Sequence, residues 1–97
     1  PDSVAAERAD KAGTRPDALT REDAGRGDDL KKISGIGKSI EKTLNDLGVF
    51  TYAQIAAWSD ENKAWVNAYL GFKGRIDREK WAEQARALAA GGRGDAT

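Results

Sequence analysis

The sequence predicts an all-α domain of about five short helices packed around a two-glycine hairpin turn, preceded by a disordered tether. Three observations predict it. The run Ile33-Ser34-Gly35-Ile36-Gly37-Lys38 spaces two glycines around an apolar residue and lies between helical patterns. Apolar residues on either side recur at three- and four-residue spacings, and no stretch alternates with period two over a strand length. All three Trp, both Tyr, both Phe and every Ile fall between Leu30 and Leu88.

Residues 1–27 hold only Val4 and Leu19 as large apolar side chains, with five basic and six acidic residues. Such a segment buries too little surface to offset its ordering entropy, which reads as a disordered linker. The folded domain is expected over residues 28–92, with residues 93–97 a disordered tail. Asp28-Asp29 precede Leu30-Lys31-Lys32-Ile33, acidic residues where a helix exposes its first amides. A second helix is expected from Lys38 to Leu47, with Ile40, Leu44 and Leu47 on one face and Gly48 as its C-cap. Thr51 and Gln54 form a capping box that opens a third helix ending near Trp58. Ser59-Asp60-Glu61 opens a fourth, to about Leu70, and Gly71 to Gly74 reads as a turn. Asp77 caps a last helix from Arg78 to Ala89, with Trp81, Ala85 and Leu88 inward. With about 60 residues to fold, the Trp side chains are expected mostly in the core, although in principle they could stack on bases.

Sixteen basic and sixteen acidic residues cancel, which argues against coating nucleic acid by net charge alone. There is no Cys and no His, so thiolate metal sites, disulfides and the commonest general base are ruled out. No nucleophile–base pair emerges, and an enzyme is not expected; no cofactor is expected either. No apolar run is long enough to span a bilayer. The first residues, Pro1-Asp2-Ser3-Val4, read as a processed chain or a piece of a longer protein.

The chemistry concentrates at the hairpin. Two glycines permit backbone that a Cβ opposes and admit close approach of a partner; on that reading Gly37→Val should damage the domain. The following helix starts with amides near Gly37, Lys38 and Ser39 that lack acceptors, and with Lys38 they form an anion site, beside Lys31 and Lys32. A P-loop does not fit, because it needs four residues between its first Gly and Gly-Lys-Ser, whereas only Ile36 separates Gly35 from Gly37. A second turn, Leu70 to Ile76, echoes the first and gathers Lys73, Arg75 and Arg78. It offers a second phosphate contact or a solvated basic loop.

The run Ile33 to Lys38 resembles the helix-hairpin-helix family of non-sequence-specific nucleic-acid-binding motifs. By position, the resemblance implies phosphate at Gly35, Gly37 and Lys38, and a monovalent cation at the carbonyls of Lys31, Ile33 and Ile36. Gly13 to Leu19, Asp28 to Gly37, Gln54 to Trp58, Phe72 to Ile76, Trp81 and Gln84-Ala85 carry a wider resemblance. Together they are similar to the C-terminal extension found on the thioredoxin-like iron–sulfur subunit of alphaproteobacterial NADH:quinone oxidoreductase. A similar module is appended to some alphaproteobacterial large-subunit ribosomal proteins, and Gly13 to Leu19 favours the oxidoreductase version. Family hairpins commonly carry Pro where this chain has Lys38. That resemblance implies a non-catalytic accessory domain docking on other subunits of a respiratory complex, cytoplasmic and peripheral to the inner membrane without inserting in it. The alternative is a module that contacts the DNA or RNA backbone through the hairpin.

Overall fold

The computed structural model describes residues 3–25 and 27–91. They form seven α-helices and one 3-10 turn, with no strand among the described residues. The helices are α1 (Ser3–Ala12), α2 (Arg21–Ala24), α3 (Lys38–Asp46), α4 (Tyr52–Ala56), α5 (Asp60–Leu70), α6 (Arg75–Arg78) and α7 (Trp81–Ala89); Leu30–Lys32 is the 3-10 turn. The tail expected over residues 93–97 lies outside the described residues.

Local sequence accounts for most boundaries. Thr51 and Gln54 close a reciprocal capping box on α4, and Ser59 and Asn62 close another on α5. Each satisfies two backbone donors that a helix start leaves over. Gly48 (φ +87°) turns the chain after α3, and the Val49 amide returns to the Leu44 carbonyl at 2.8 Å. Gly71 ends α5 in the left-handed region, where Phe72 N donates to Asn67 O at 2.7 Å.

The core runs through every element from the 3-10 turn to α7. Leu30, Ile33, Leu44, Val49, Ile55, Trp65, Val66, Ile76 and Trp81 are its largest fully buried side chains. Trp58 is buried too, so none of the three Trp rings is a base-stacking platform. At about 25 cal/mol per Å² of apolar surface, one buried indole contributes roughly 4–6 kcal/mol before entropy is charged. Phe50 and Tyr52 are likewise buried. The Tyr52 hydroxyl donates to Asp29 O at 2.7 Å and its amide to Asp28 Oδ2 at 2.8 Å, which anchors the domain's start on α4. Burial, then the nearby carboxylates of Asp28, Asp29 and Glu41, raise the phenol's pKa above its ordinary value and keep that proton in place.

Two regions depart from the sequence expectations. Residues 3–25 carry more structure than their composition predicts. Helix α1 lies on α5 with Ala5 and Ala9 buried. Arg8 donates to the Ala68 and Tyr69 carbonyls, at 2.9 and 3.3 Å, at the C-terminal end of α5. Asp10 accepts from Trp65 Nε1 at 2.8 Å. Beyond α1, Thr14 N donates to Glu61 O, Leu19 N to Gly48 O and Gln54 Nε2 to Asp17 O. Alanines that allow close approach, and polar side chains that reach helix ends, replace the large apolar anchors this segment lacks.

The second departure is the last helix, expected from Arg78 to Ala89. The helix, α7, begins only at Trp81; Arg75–Arg78, mostly expected as turn, form the separate α6, and Lys80 between them sits at φ 56°, ψ 49°. Left-handed backbone at a residue with a Cβ costs about 1–2 kcal/mol. The contacts made across this joint are what hold it.

Candidate nucleic-acid interface

The hairpin starts where the 3-10 turn ends. Ile36 N donates to Ile33 O at 3.1 Å, and both isoleucines are buried, so the turn is pinned to the core from both ends. The two glycines then play different parts. Gly35 has φ +102°, and a Cβ there would collide with the Glu79 carboxylate and come within 2.9 Å of Trp81 Nε1. Gly37 has φ −96° and ψ −175°, ordinary extended backbone, and a Cβ there would meet nothing within 4 Å among the described residues. The expectation that Gly37→Val breaks the fold is therefore corrected: the turn needs glycine at Gly35, while Gly37 faces open space.

Gly37 is the N-cap of α3 and supplies no side-chain cap. Among the described residues, the amides of Lys38, Ser39 and Ile40 have no acceptor; the first helical bond is Glu41 N to Gly37 O at 2.9 Å. Three backbone donors at the positive end of the helix are thus left without a partner in the fold. Lys38 is exposed on the first turn, and Lys38, Ser39, Glu41, Lys42 and Asn45 line a shallow depression beside it. Lys32 is exposed and forms no ion pair among the described residues, whereas Lys31 pairs with Asp29 at 3.7 Å and Lys42 with Asp46 at 3.8 Å. Glu41 is turned to structural use, accepting from Leu30 N at 3.0 Å.

The second turn is not an independent copy of the first. Arg75 Nη2 donates to Gly35 O at 3.3 Å, Arg75 Nε to Glu79 Oε1 at 3.1 Å, and its guanidinium lies 4.7 Å from the Phe72 ring centre. Arg78 Nη1 donates to Lys73 O at 2.6 Å within its own loop, and Lys73 and Arg78 are exposed. Of the three cations expected there, Arg75 is thus brought to the hairpin as a brace. In the carbonyl set expected for a monovalent cation, Ile33 O already accepts from Ile36 N.

The roles of three residues at this site give no signal in the sequence. Glu79 Oε1 also accepts from Trp81 Nε1 at 3.2 Å, against the α-carbon of Gly35. Gln84 spans the Ser34 peptide, accepting from its amide at 2.9 Å and donating to its carbonyl at 3.4 Å. Glu41 is the third. A Gln and two Glu in helical patterns look like solvated surface, and only the tertiary packing gives them partners.

Comparison with known proteins decides the family. The RS2/RL21/YNQ2 HHH domain family matches residues 30–89, most of the chain and the whole segment from the 3-10 turn to α7. The chain belongs to that family. The chain is 53% identical over 68 residues to the large ribosomal subunit protein bL21 of Roseobacter denitrificans, covering 70% of this chain and 32% of that protein. It is 52% identical over 66 residues to bL21 of a Jannaschia species, covering 68% of this chain and 26% of the relative. It is 49% identical over 70 residues to the small ribosomal subunit protein uS2 of Beijerinckia indica, covering 70% of this chain and 21% of the relative. The chain thus spans a third or less of the length of these relatives. No solved structure matches it. These relatives overturn docking on a respiratory complex: the domain's kinship is with ribosomal proteins of both subunits, and the peripheral membrane location falls with that reading. No helix among the described residues is long and apolar enough to cross a membrane.

Proposed function

We propose that the domain is a non-catalytic accessory module that binds the RNA backbone without reading sequence, through phosphate at the start of α3. The observation that carries this is the contrast between the two glycines. Gly35 is enclosed by protein, while Gly37 opens onto solvent in front of three amides without acceptors and the Lys38 ammonium. Amides and a lysine recognise phosphate oxygens and carry no information about bases. The Trp rings are buried and add none by stacking. Relatives named as ribosomal proteins of the large and the small subunit support RNA as the partner, since one module serves two different hosts if its target is the backbone they share.

The zero net charge of the chain implies that it binds weakly by itself. Tethered within a larger RNA-bound protein, a weak phosphate contact gains from high effective concentration. Fluorescence anisotropy with a short RNA duplex across a salt series tests the reading. Log affinity is expected to fall linearly with log salt, and Lys38→Ala to reduce that slope by about one phosphate contact. No binding at low salt, or a slope unchanged in Lys38→Ala, would overturn it.

A further inference from the structure

The joint between α6 and α7 grips the hairpin by its backbone. Gln84 Oε1 takes the Ser34 amide, and Gln84 Nε2 is shared between Ser34 O at 3.4 Å and Glu79 O at 2.7 Å. Arg75 holds Gly35 O, and Glu79 Oε1, fixed by Arg75 Nε and Trp81 Nε1, fills the space in front of Gly35. These groups contact the two residues that precede Ile36 and Gly37, and the α3 amides follow directly. Without them Ser34 and Gly35 would have water as their partners and a wider choice of backbone angles.

The break at Lys80 is what makes the grip. A continuous helix through residues 75–89 would use the Glu79 carbonyl for its own ladder. The left-handed Lys80 interrupts that ladder, Glu79 O accepts the Gln84 side chain, and the Gln84 amide returns to Lys80 O at 2.9 Å. Local strain that the surrounding contacts hold in place is often found where geometry serves a function.

We infer that Gln84 is a positioning residue of the phosphate site: through Ser34 it sets the direction in which the α3 amides face, with Arg75 and Glu79 fixing the adjacent Gly35. This inference rests on the phosphate-binding reading above. Gln84 touches no phosphate itself, so its removal changes how well the amides are aimed and not how many cations meet the backbone.

The salt series separates these effects. Gln84→Ala, measured well below its melting temperature, is expected to bind the RNA duplex about five- to tenfold more weakly at every salt concentration, with the wild-type slope. Gln84→Met keeps the length and packing of the side chain without its hydrogen bonds, and is expected to bind as weakly as Gln84→Ala. In amide NMR spectra of both variants, Gly35, Gly37 and Lys38 should shift while α4 and α5 stay in place. Wild-type affinity in Gln84→Met would overturn the inference, because packing alone would then suffice; so would a reduced salt slope, or loss of the fold in both variants. Failure of the underlying reading looks different: wild type would not bind, or Lys38→Ala would leave the slope unchanged.

Discussion

Gly35→Ala is expected to destabilise the domain by about 3 kcal/mol. A Cβ at φ +102° carries a backbone penalty of about 1–2 kcal/mol, and it enters space held by the Glu79 carboxylate and Trp81 Nε1. The carboxylate could swing away, but it would abandon the donations from Arg75 and Trp81. The indole is fully buried and cannot retreat without moving the core. Thermal unfolding followed by circular dichroism measures the effect. A melting temperature within a degree or two of wild type would show that the turn tolerates a side chain, and the division of labour between the glycines would be lost.

Trp81→Ala should cost about 4 kcal/mol, the scale for truncating a large buried aromatic. Its ring is 0% exposed, meets Phe72 edge-on at 6.0 Å, and its Nε1 helps fix Glu79 against the hairpin. A domain of this size has stability of that order to lose. The variant should therefore be largely unfolded near 37 °C by chemical denaturation or amide exchange. Trp58 supplies the contrast, since its buried Nε1 has no hydrogen-bond partner among the described residues and Trp58→Phe would remove that donor along with some volume. If Trp81→Ala kept wild-type stability, the hairpin would not be anchored through α7.

Much of this fold was legible in the sequence because local chemistry wrote it. Thr51 with Gln54, Ser59 ahead of Asp60, and Ile40, Leu44 and Leu47 at helical spacing each specify an element with no reference to the rest of the chain. What escaped depends on tertiary contacts. Glu79 and Lys80 are good helix formers, so nothing local announces a break; Arg75, Gln84 and the buried Trp81 impose it. Residues 3–25 look too polar to fold, yet alanines at Ala5 and Ala9 let α1 sit close to α5, and Arg8 and Asp10 supply the specificity.

The candidate site was legible in part. Glycine spacing locates the turn and Lys38 but makes both glycines look equal, because conformation and clearance are not encoded in residue type. The host protein is misjudged from sequence for a related reason. Leu30, Ile33, Gly35, Ile36, Trp58 and Trp81, which carry the resemblance, build the core and the turn, so they report on the fold and not on the protein it is attached to. Gly13 to Leu19, which points toward an oxidoreductase, lies outside the family match at residues 30–89 and packs along α5 and the turn after α3.

On the proposed reading Gly37 leaves the α3 amides uncapped for phosphate to cap, and Gly37→Asp is the variant that decides it. The backbone there suits any residue, and aspartate is a better N-cap than glycine, so its carboxylate would take the amides and complement the helix dipole. The melting temperature should rise by a few degrees. In the same variant, affinity for an RNA duplex should fall at least about tenfold, because the new carboxylate occupies the phosphate's donors and repels it. A more stable domain that binds RNA as wild type does would rule out phosphate at these amides, and so would a Gly37→Asp domain that fails to fold.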